Sequence, residues 1–193
     1  MNTFEALRAA LEIFKSHGWQ CWLMAGACLG AVRDNRFLNI DIDIGYFPSD
    51  PKIWDCLIEE LKSLGFELFM EWKEKDLKVA LAMRSREGEE ILSKLDLFPY
   101  YVNGEYCWHG LFGPDKKGRW GEYKVFYPCV FKKKLFLNLK EINFRGIKCF
   151  VPDPPEEYLE RWYGKRWDIP DRDWLSWRDS KAIDFETFEE ILL

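Results

Sequence analysis

Apolar positions recur along this chain in two rhythms, and the switches between them mark out the elements. Phe4, Leu7, Leu11 and Phe14 fall on one helical stripe. Asn2 and Glu5 offer a capping box at its start, and Gly18 ends it. Trp19 to Met24 is a continuous apolar run, rich in aromatics, which predicts a buried strand. A second helical stripe, Ile53, Trp54, Leu57, Ile58, Leu61 and Leu64, follows Asp50-Pro51, with proline at the first helical position, and closes at Gly65. Phe66 to Trp72 and Leu77 to Arg84 read as strands, and the turn Arg86-Glu87-Gly88-Glu89 leads into a further strand around Asp96.

After Pro99 the pattern loosens. Strands are predicted over Tyr100 to Trp108 and Gly121 to Val130, around a loop rich in Gly, Lys and Asp at 113–119. A hairpin spans Glu141 to Val151 and turns at Arg145-Gly146. A helix runs from Pro155 to Tyr163 and stops at Gly164; a last short one covers Asp184 to Leu192. No repeat, low-complexity stretch or linker interrupts the chain. The expectation is one α+β domain over 1–193, a mixed β-sheet flanked by helices. Its core lies at about 1–100, and a flanking subregion at about 101–193 completes a cleft.

One stretch departs from plain core chemistry. In Asn39-Ile40-Asp41-Ile42-Asp43-Ile44, carboxylates alternate with isoleucine. Strand side chains at i and i+2 share a face, so Asp41 and Asp43 project together, with Ile40, Ile42 and Ile44 opposite. Like charges side by side repel, and a divalent cation between them removes the repulsion. Hard cations such as Mg²⁺ prefer carboxylate oxygens and are commonly shared with substrate phosphates. The alternative is a solvated strand face with two idle acids.

Upstream, Ala25-Gly26-Ala27-Cys28-Leu29-Gly30-Ala31-Val32-Arg33 reads as a tight turn opening a short helix. Gly26 permits close backbone approach, helix-start N–H groups favour an anion, and Arg33 or Arg36 can pair with phosphate. Gly26 and Gly30 read alternatively as ordinary turn and packing glycines. Downstream, Asp96 stands alone in the apolar strand Ile91-Leu92-Ser93-Lys94-Leu95-Asp96-Leu97-Phe98. It is either a third metal ligand, or base for an acceptor hydroxyl, or the ion-pair partner of Lys94 on the same strand face.

A glycine turn, an Asp-x-Asp and a distant strand Asp together resemble the nucleotidyltransferase superfold, and within it the LicD/fukutin family. That family's leading motif runs approximately Trp-Leu-Asp-Gly-Gly-Thr-Leu-Leu-Gly-Ala-Val-Arg, then Phe, then Trp-Asp-Asp-Asp-Ile-Asp. Here it stands as Trp22-Leu23-Met24-Ala25-Gly26-Ala27-Cys28-Leu29-Gly30-Ala31-Val32-Arg33, Phe37 and Asn39-Ile40-Asp41-Ile42-Asp43. Asp96-Leu97-Phe98-Pro99-Tyr100 matches a second element. Val151-Pro152, Tyr158-Leu159, Tyr163-Gly164, Trp167 and Pro170 match the C-terminal part. Ala25 replaces the first glycine, Ala27 the threonine, and Asn39-Ile40 the opening Trp-Asp-Asp.

The resemblance implies a nucleotidyltransferase-like fold and a Mg²⁺- or Mn²⁺-dependent transfer of a phospho-alcohol, such as phosphocholine or ribitol phosphate. The donor would be a CDP-alcohol and the acceptor a glycan or other hydroxyl. Asp41, Asp43 and Asp96 are then the catalytic and metal-holding acids; Gly26, Ala27, Gly30, Arg33 and Arg36 bind nucleotide or phosphate. Two rivals stand beside it: transfer of a nucleoside monophosphate by the same acids, and a non-catalytic nucleotide- or sugar-binding module.

Composition sets bounds. The formal net charge is −5, which argues against nucleic acid as partner, since a basic face is its usual footprint. Lys132-Lys133-Lys134 is the one basic run and reads as a solvated face, or as contact with an anionic donor or polymer. Ten tryptophans suit a core, with one or two free to form a sugar platform. Cys21, Cys28, Cys56, Cys107, Cys129 and Cys149 form no Cys-x-x-Cys pair, and His17 and His109 are the only histidines, so zinc has little support. No signal peptide or membrane-length apolar run is present, and the expectation is a reducing, cytoplasmic setting.

Overall fold

The computed structural model describes residues 1–74, 77–114 and 125–192. The elements are, in order, α1 (Thr3–Ser16), β1 (Cys21–Leu23), α2 (Ala25–Leu29) running into a π-helical turn (Gly30–Asp34), β2 (Asp41–Tyr46), α3 (Ile53–Ser63), β3 (Glu67–Glu74), β4 (Leu77–Glu87), β5 (Glu90–Pro99), β6 (Tyr101–Asn103), β7 (Tyr106–Gly113), β8 (Val125–Lys132), a 3₁₀ turn (Lys133–Phe136), β9 (Lys140–Phe144), β10 (Ile147–Val151), α4 (Pro155–Tyr163), α5 (Ser176–Asp179) and α6 (Phe185–Leu192). This is an α+β fold. The central sheet has five strands in the order β1-β2-β5-β4-β3. It is mixed: β2 runs parallel to β5, and the other pairs are antiparallel. A three-stranded sheet, β6-β7-β8, and the β9-β10 hairpin complete it.

Local signals explain the elements that frame the site. Asn2 caps α1 by accepting from the Phe4 and Glu5 amides while Glu5 accepts from the Asn2 amide, a closed capping box. Leu7 and Phe14 of the expected stripe are buried, with Ala6, Ala10 and Ile13 beside them. Helix α3 begins at Ile53 rather than at Pro51, because the Asp50 carboxylate accepts from the Lys52 amide and makes a turn of the Asp-Pro step. Its buried side is Ile53, Trp54, Leu57 and Leu61; Leu64, past the helix end, is 46 % exposed.

The five-stranded sheet buries one face under α1, whose Leu7, Ala10 and Phe14 share a core with Ile42, Ile44, Leu95 and Leu97. That core continues without a break from Ala6 to Ala182. Two expectations need correcting. Ile40 does not join the apolar face: it precedes β2 and is 44 % exposed. The single strand expected over Tyr100 to Trp108 is two, β6 and β7, divided by a turn at Gly104 with φ +57°. The Arg145-Gly146 hairpin turn is confirmed, with both residues at positive φ. The expected loop at 113–119, the first residues of the strand over Gly121 to Val130, and Trp120, one of the ten tryptophans, fall largely outside the described residues. All six cysteines are free thiols, and burial pushes that of Cys21 up to about 12. No described helix is long and apolar enough to cross a membrane.

Candidate active site

The site begins with the register of two parallel strands. On β2 and β5, Asp43 lies beside Asp96 and Asp41 beside Lys94. Alternation sends Ile42, Ile44, Leu95 and Leu97 into the core, each with no exposed surface, so all four charged side chains share the opposite face. Lys94 Nζ stands 2.9 Å from Asp96 Oδ2 and 3.7 Å from Asp41 Oδ1. The ion pair that competes with a metal role is therefore formed, but one ammonium faces three carboxylates.

Electrostatics follow from that imbalance. Burial raises Asp43 to about 8, and the negative charges of Asp96 and Asp41 add to it; Lys94 and the Ala27 amide oppose the shift without cancelling it. Burial also raises Asp96, but Lys94 offsets part of that and leaves it at about 6. Burial works against the Lys94 ammonium, yet Asp96, Asp41 and Asp43 outweigh it and hold its pKa above the usual value. Asp43 is the group left without adequate counter-charge.

The turn between β1 and α2 closes against the same carboxylate. Met24 donates to the Asp43 carbonyl at 3.0 Å, and the Gly26 amide to Asp43 Oδ2 at 3.1 Å. A Cβ on Gly26 would stand 3.2 Å from that oxygen, so glycine keeps the approach open. Ala25 sits in the left-handed region, φ +42°, and its amide donates to the buried Tyr158 hydroxyl of α4 at 3.0 Å. The sequence predicts free helix-start N–H groups for an anion; in the structure the Ala25 and Gly26 amides already have internal acceptors.

The phosphate-binding expectations divide. Gly26, Arg33 and Arg36 line a cleft of about 1160 Å³ together with Asp41, Asp43 and Asp96. Ala27 and Gly30 are buried and do not line it. A Cβ on Gly30 would stand 2.4 Å from the Arg36 carbonyl oxygen, so Gly30 is a packing glycine. Arg33 is largely engaged: Nε and Nη2 donate to Asp34, and Nη1 donates to the Trp167 carbonyl at 3.2 Å. Those bonds hold the Asp34 carboxyl below its ordinary value. Arg36 is exposed and makes no ion pair among the described residues.

The rest of the cleft comes from residues that periodicity did not single out for the site. The segment after Gly164 supplies Arg166, Trp167, Arg172, Trp174 and Trp177 to its lining. Before α5 that segment is a chain of turns without helix or strand rhythm, and the motif positions Tyr163-Gly164, Trp167 and Pro170, with Trp174 and Trp177 among the tryptophans able to form a sugar platform, flagged it. His109 also borders the cleft, stacked on Trp162 at 5.4 Å, and burial pushes it down to about 3, so it stays neutral. The acids offer only oxygen donors, a set suited to a hard cation. Among the described residues, no group of three His, Cys, Asp or Glu side chains converges as a preformed metal cage; Lys94 engages Asp96 and Asp41 instead.

Comparison with known proteins gives this geometry its relatives. The family described as LicD/FKTN/FKRP, nucleotidyltransferase domain, matches residues 18–154, which takes in the turn, β2 and β5. "Ribitol-5-phosphate transferase FKTN" from Mus musculus and from Homo sapiens are each 29% identical to this chain over 91% of its length. The chain spans 35% of the length of each of those relatives. The crystal structure of ANT(2")-Ia in complex with adenylyl-2"-tobramycin aligns with a TM-score of 0.49 at 12% identity, over 89% of this chain and 80% of that one. With its glycine turn, paired strand acids and third acid all inside the matched region, the chain belongs to the LicD/FKTN/FKRP nucleotidyltransferase-domain family.

Proposed function

We propose that this chain is a Mg²⁺- or Mn²⁺-dependent transferase that moves a phospho-alcohol from a CDP-alcohol donor to a hydroxyl acceptor such as a glycan. The curated relatives named as ribitol-5-phosphate transferases support a ribitol-phosphate type of cargo, with phosphocholine as the other member of the class. The observation that carries the reading is Asp43 beside Asp96 in register, with Asp41 on the same face and the large cleft before them.

Asp41, Asp43 and Asp96 are the residues to hold the metal. Burial first, and then the charges of Asp96 and Asp41, raise the pKa of Asp43, and a cation of this class would favour its ionised form. When bound, the cation offsets negative charge on the phosphoryl oxygens under attack. Asp96 has a second role open to it in place of metal binding: with a pKa of about 6 it is mostly ionised at neutral pH and can take the acceptor proton. Lys94 then orients Asp96 rather than silencing it. Gly26 keeps the approach to Asp43 open, and Arg36 faces the anionic donor.

A thermal-shift titration with CDP and CTP, with and without Mn²⁺, tests the metal requirement. Stabilisation by CDP only when Mn²⁺ is present is expected; a shift indifferent to metal favours a binding module instead. The family description, a nucleotidyltransferase domain, also supports transfer of a nucleoside monophosphate. Donors labelled separately in the cytidylate and the alcohol distinguish the two: the alcohol label is expected on the acceptor.

A further inference from the structure

We propose that Arg166 and Arg172, together with Arg36, form a guanidinium clamp for the diphosphate of the donor, and that Arg33 positions the clamp without touching the ligand. The inference rests on the transferase reading and assigns its donor subsite. All three clamp residues line the cleft that holds Asp41, Asp43 and Asp96. All three are exposed, and none lies within ion-pair distance of a carboxylate among the described residues. In a chain of net charge −5, three guanidinium groups without an ion-pair partner among the described residues line the same cleft as Asp41, Asp43, Asp96 and Asp171.

The backbone ties the segments that carry Arg166 and Arg36 to each other. Arg166 lies in a closed turn, in which Trp167 donates to the Gly164 carbonyl at 3.1 Å and Ile169 to the Arg166 carbonyl at 3.0 Å. Arg33 Nη1 donates to the Trp167 carbonyl, so the residue next to Arg166 is fastened to the π-helical turn. The same turn delivers Arg36, whose amide donates to the Gly30 carbonyl at 3.1 Å. Arg33 thus uses its planar fork on protein partners, while its neighbours keep theirs for an anion.

Electrostatics favour such a group. A diphosphate drawn toward three carboxylates is repelled by them, and a cation on the acid side addresses only the oxygens it contacts. Guanidinium groups meet the remaining oxygens in planar, paired geometry, which lysine does not offer. The same chemistry would also suit a phosphate monoester on an acceptor, so the test separates the two sources.

Titration calorimetry with CDP, cytidine, inorganic pyrophosphate and glucose 6-phosphate, on wild type, Arg166→Gln, Arg172→Gln and the double variant, reads the clamp directly. Each single change is expected to weaken CDP and pyrophosphate about tenfold, the size of one charge-assisted contact, and to leave cytidine unchanged. Melting temperatures should not move, because both side chains are exposed and unpaired. CDP affinity intact in the double variant, or an equal loss for cytidine, overturns the clamp. Loss confined to glucose 6-phosphate overturns the donor assignment. Arginine-dependent pyrophosphate binding without any transfer would uphold the clamp and reject the transferase reading. Transfer with donor KM unaltered in the double variant would do the reverse.

Discussion

The two faces of the β2-β5 pair obey opposite rules although they are built from the same short strands. Ile42, Ile44, Leu95 and Leu97 are wholly buried on one face, where apolar area is removed from water and nothing titrates. On the other, Asp41, Asp43, Lys94 and Asp96 stand together with charge in excess. The first face stabilises the molecule; the second costs stability, offset by the first. Under the proposed function, one side of the central strands is committed to chemistry and the other to holding that chemistry in place.

Exchanging residues between these regimes tests the contrast. Asp43→Asn should give the largest effect, a loss of turnover of at least about a hundredfold, as when an enzyme loses one preorganised electrostatic partner. Its stability should be equal to wild type or higher. Ile44→Ala should reverse the outcome, costing about 2–5 kcal/mol in urea unfolding while turnover per folded molecule persists. A third test is pH. The folded protein retains the Asp43 proton up to about 8, whereas the ordinary value is 3.8, so the folded state binds more protons than the unfolded state between those limits. Metal-free stability from this group therefore falls as pH rises through that window and levels off above it. Unfolding curves in chelator at pH 5 and pH 8 should show the fall in wild type and a smaller one in Asp43→Asn. The smallest effect belongs to the turn: Ala25→Gly should gain about 1 kcal/mol by removing the side chain from a left-handed backbone. A loss of stability there would mean that Ala25 packing outweighs the backbone strain.

Local patterns made much of the frame legible. The capping box at Asn2, the hairpin at Arg145-Gly146 and the helix Pro155–Tyr163 needed only neighbours in sequence. The shared face of Asp41 and Asp43 followed from strand alternation, and Lys94 as partner of Asp96 from the same rule. Tyr100 to Trp108 misled because its apolar residues run across Asn103-Gly104-Glu105, a turn signal outweighed by its flanks. The closeness of Asp43 to Asp96 depends on parallel pairing, which no local pattern announces; motif resemblance pointed to it. The cleft wall from Arg166 to Trp177 had no rhythm to read, and the engagement of Arg33 with Trp167 joins residues far apart in the chain.

The bond from the Ala25 amide to Tyr158 has a consequence for how this unit is handled at the bench. The family match ends at residue 154, four positions before the hydroxyl that satisfies the glycine turn. An excised fragment trimmed to that boundary would keep all three acids yet strand a buried amide beside the cleft they line. Such a truncation would score as a full match by homology and still be a crippled protein, so expression boundaries belong beyond helix α4.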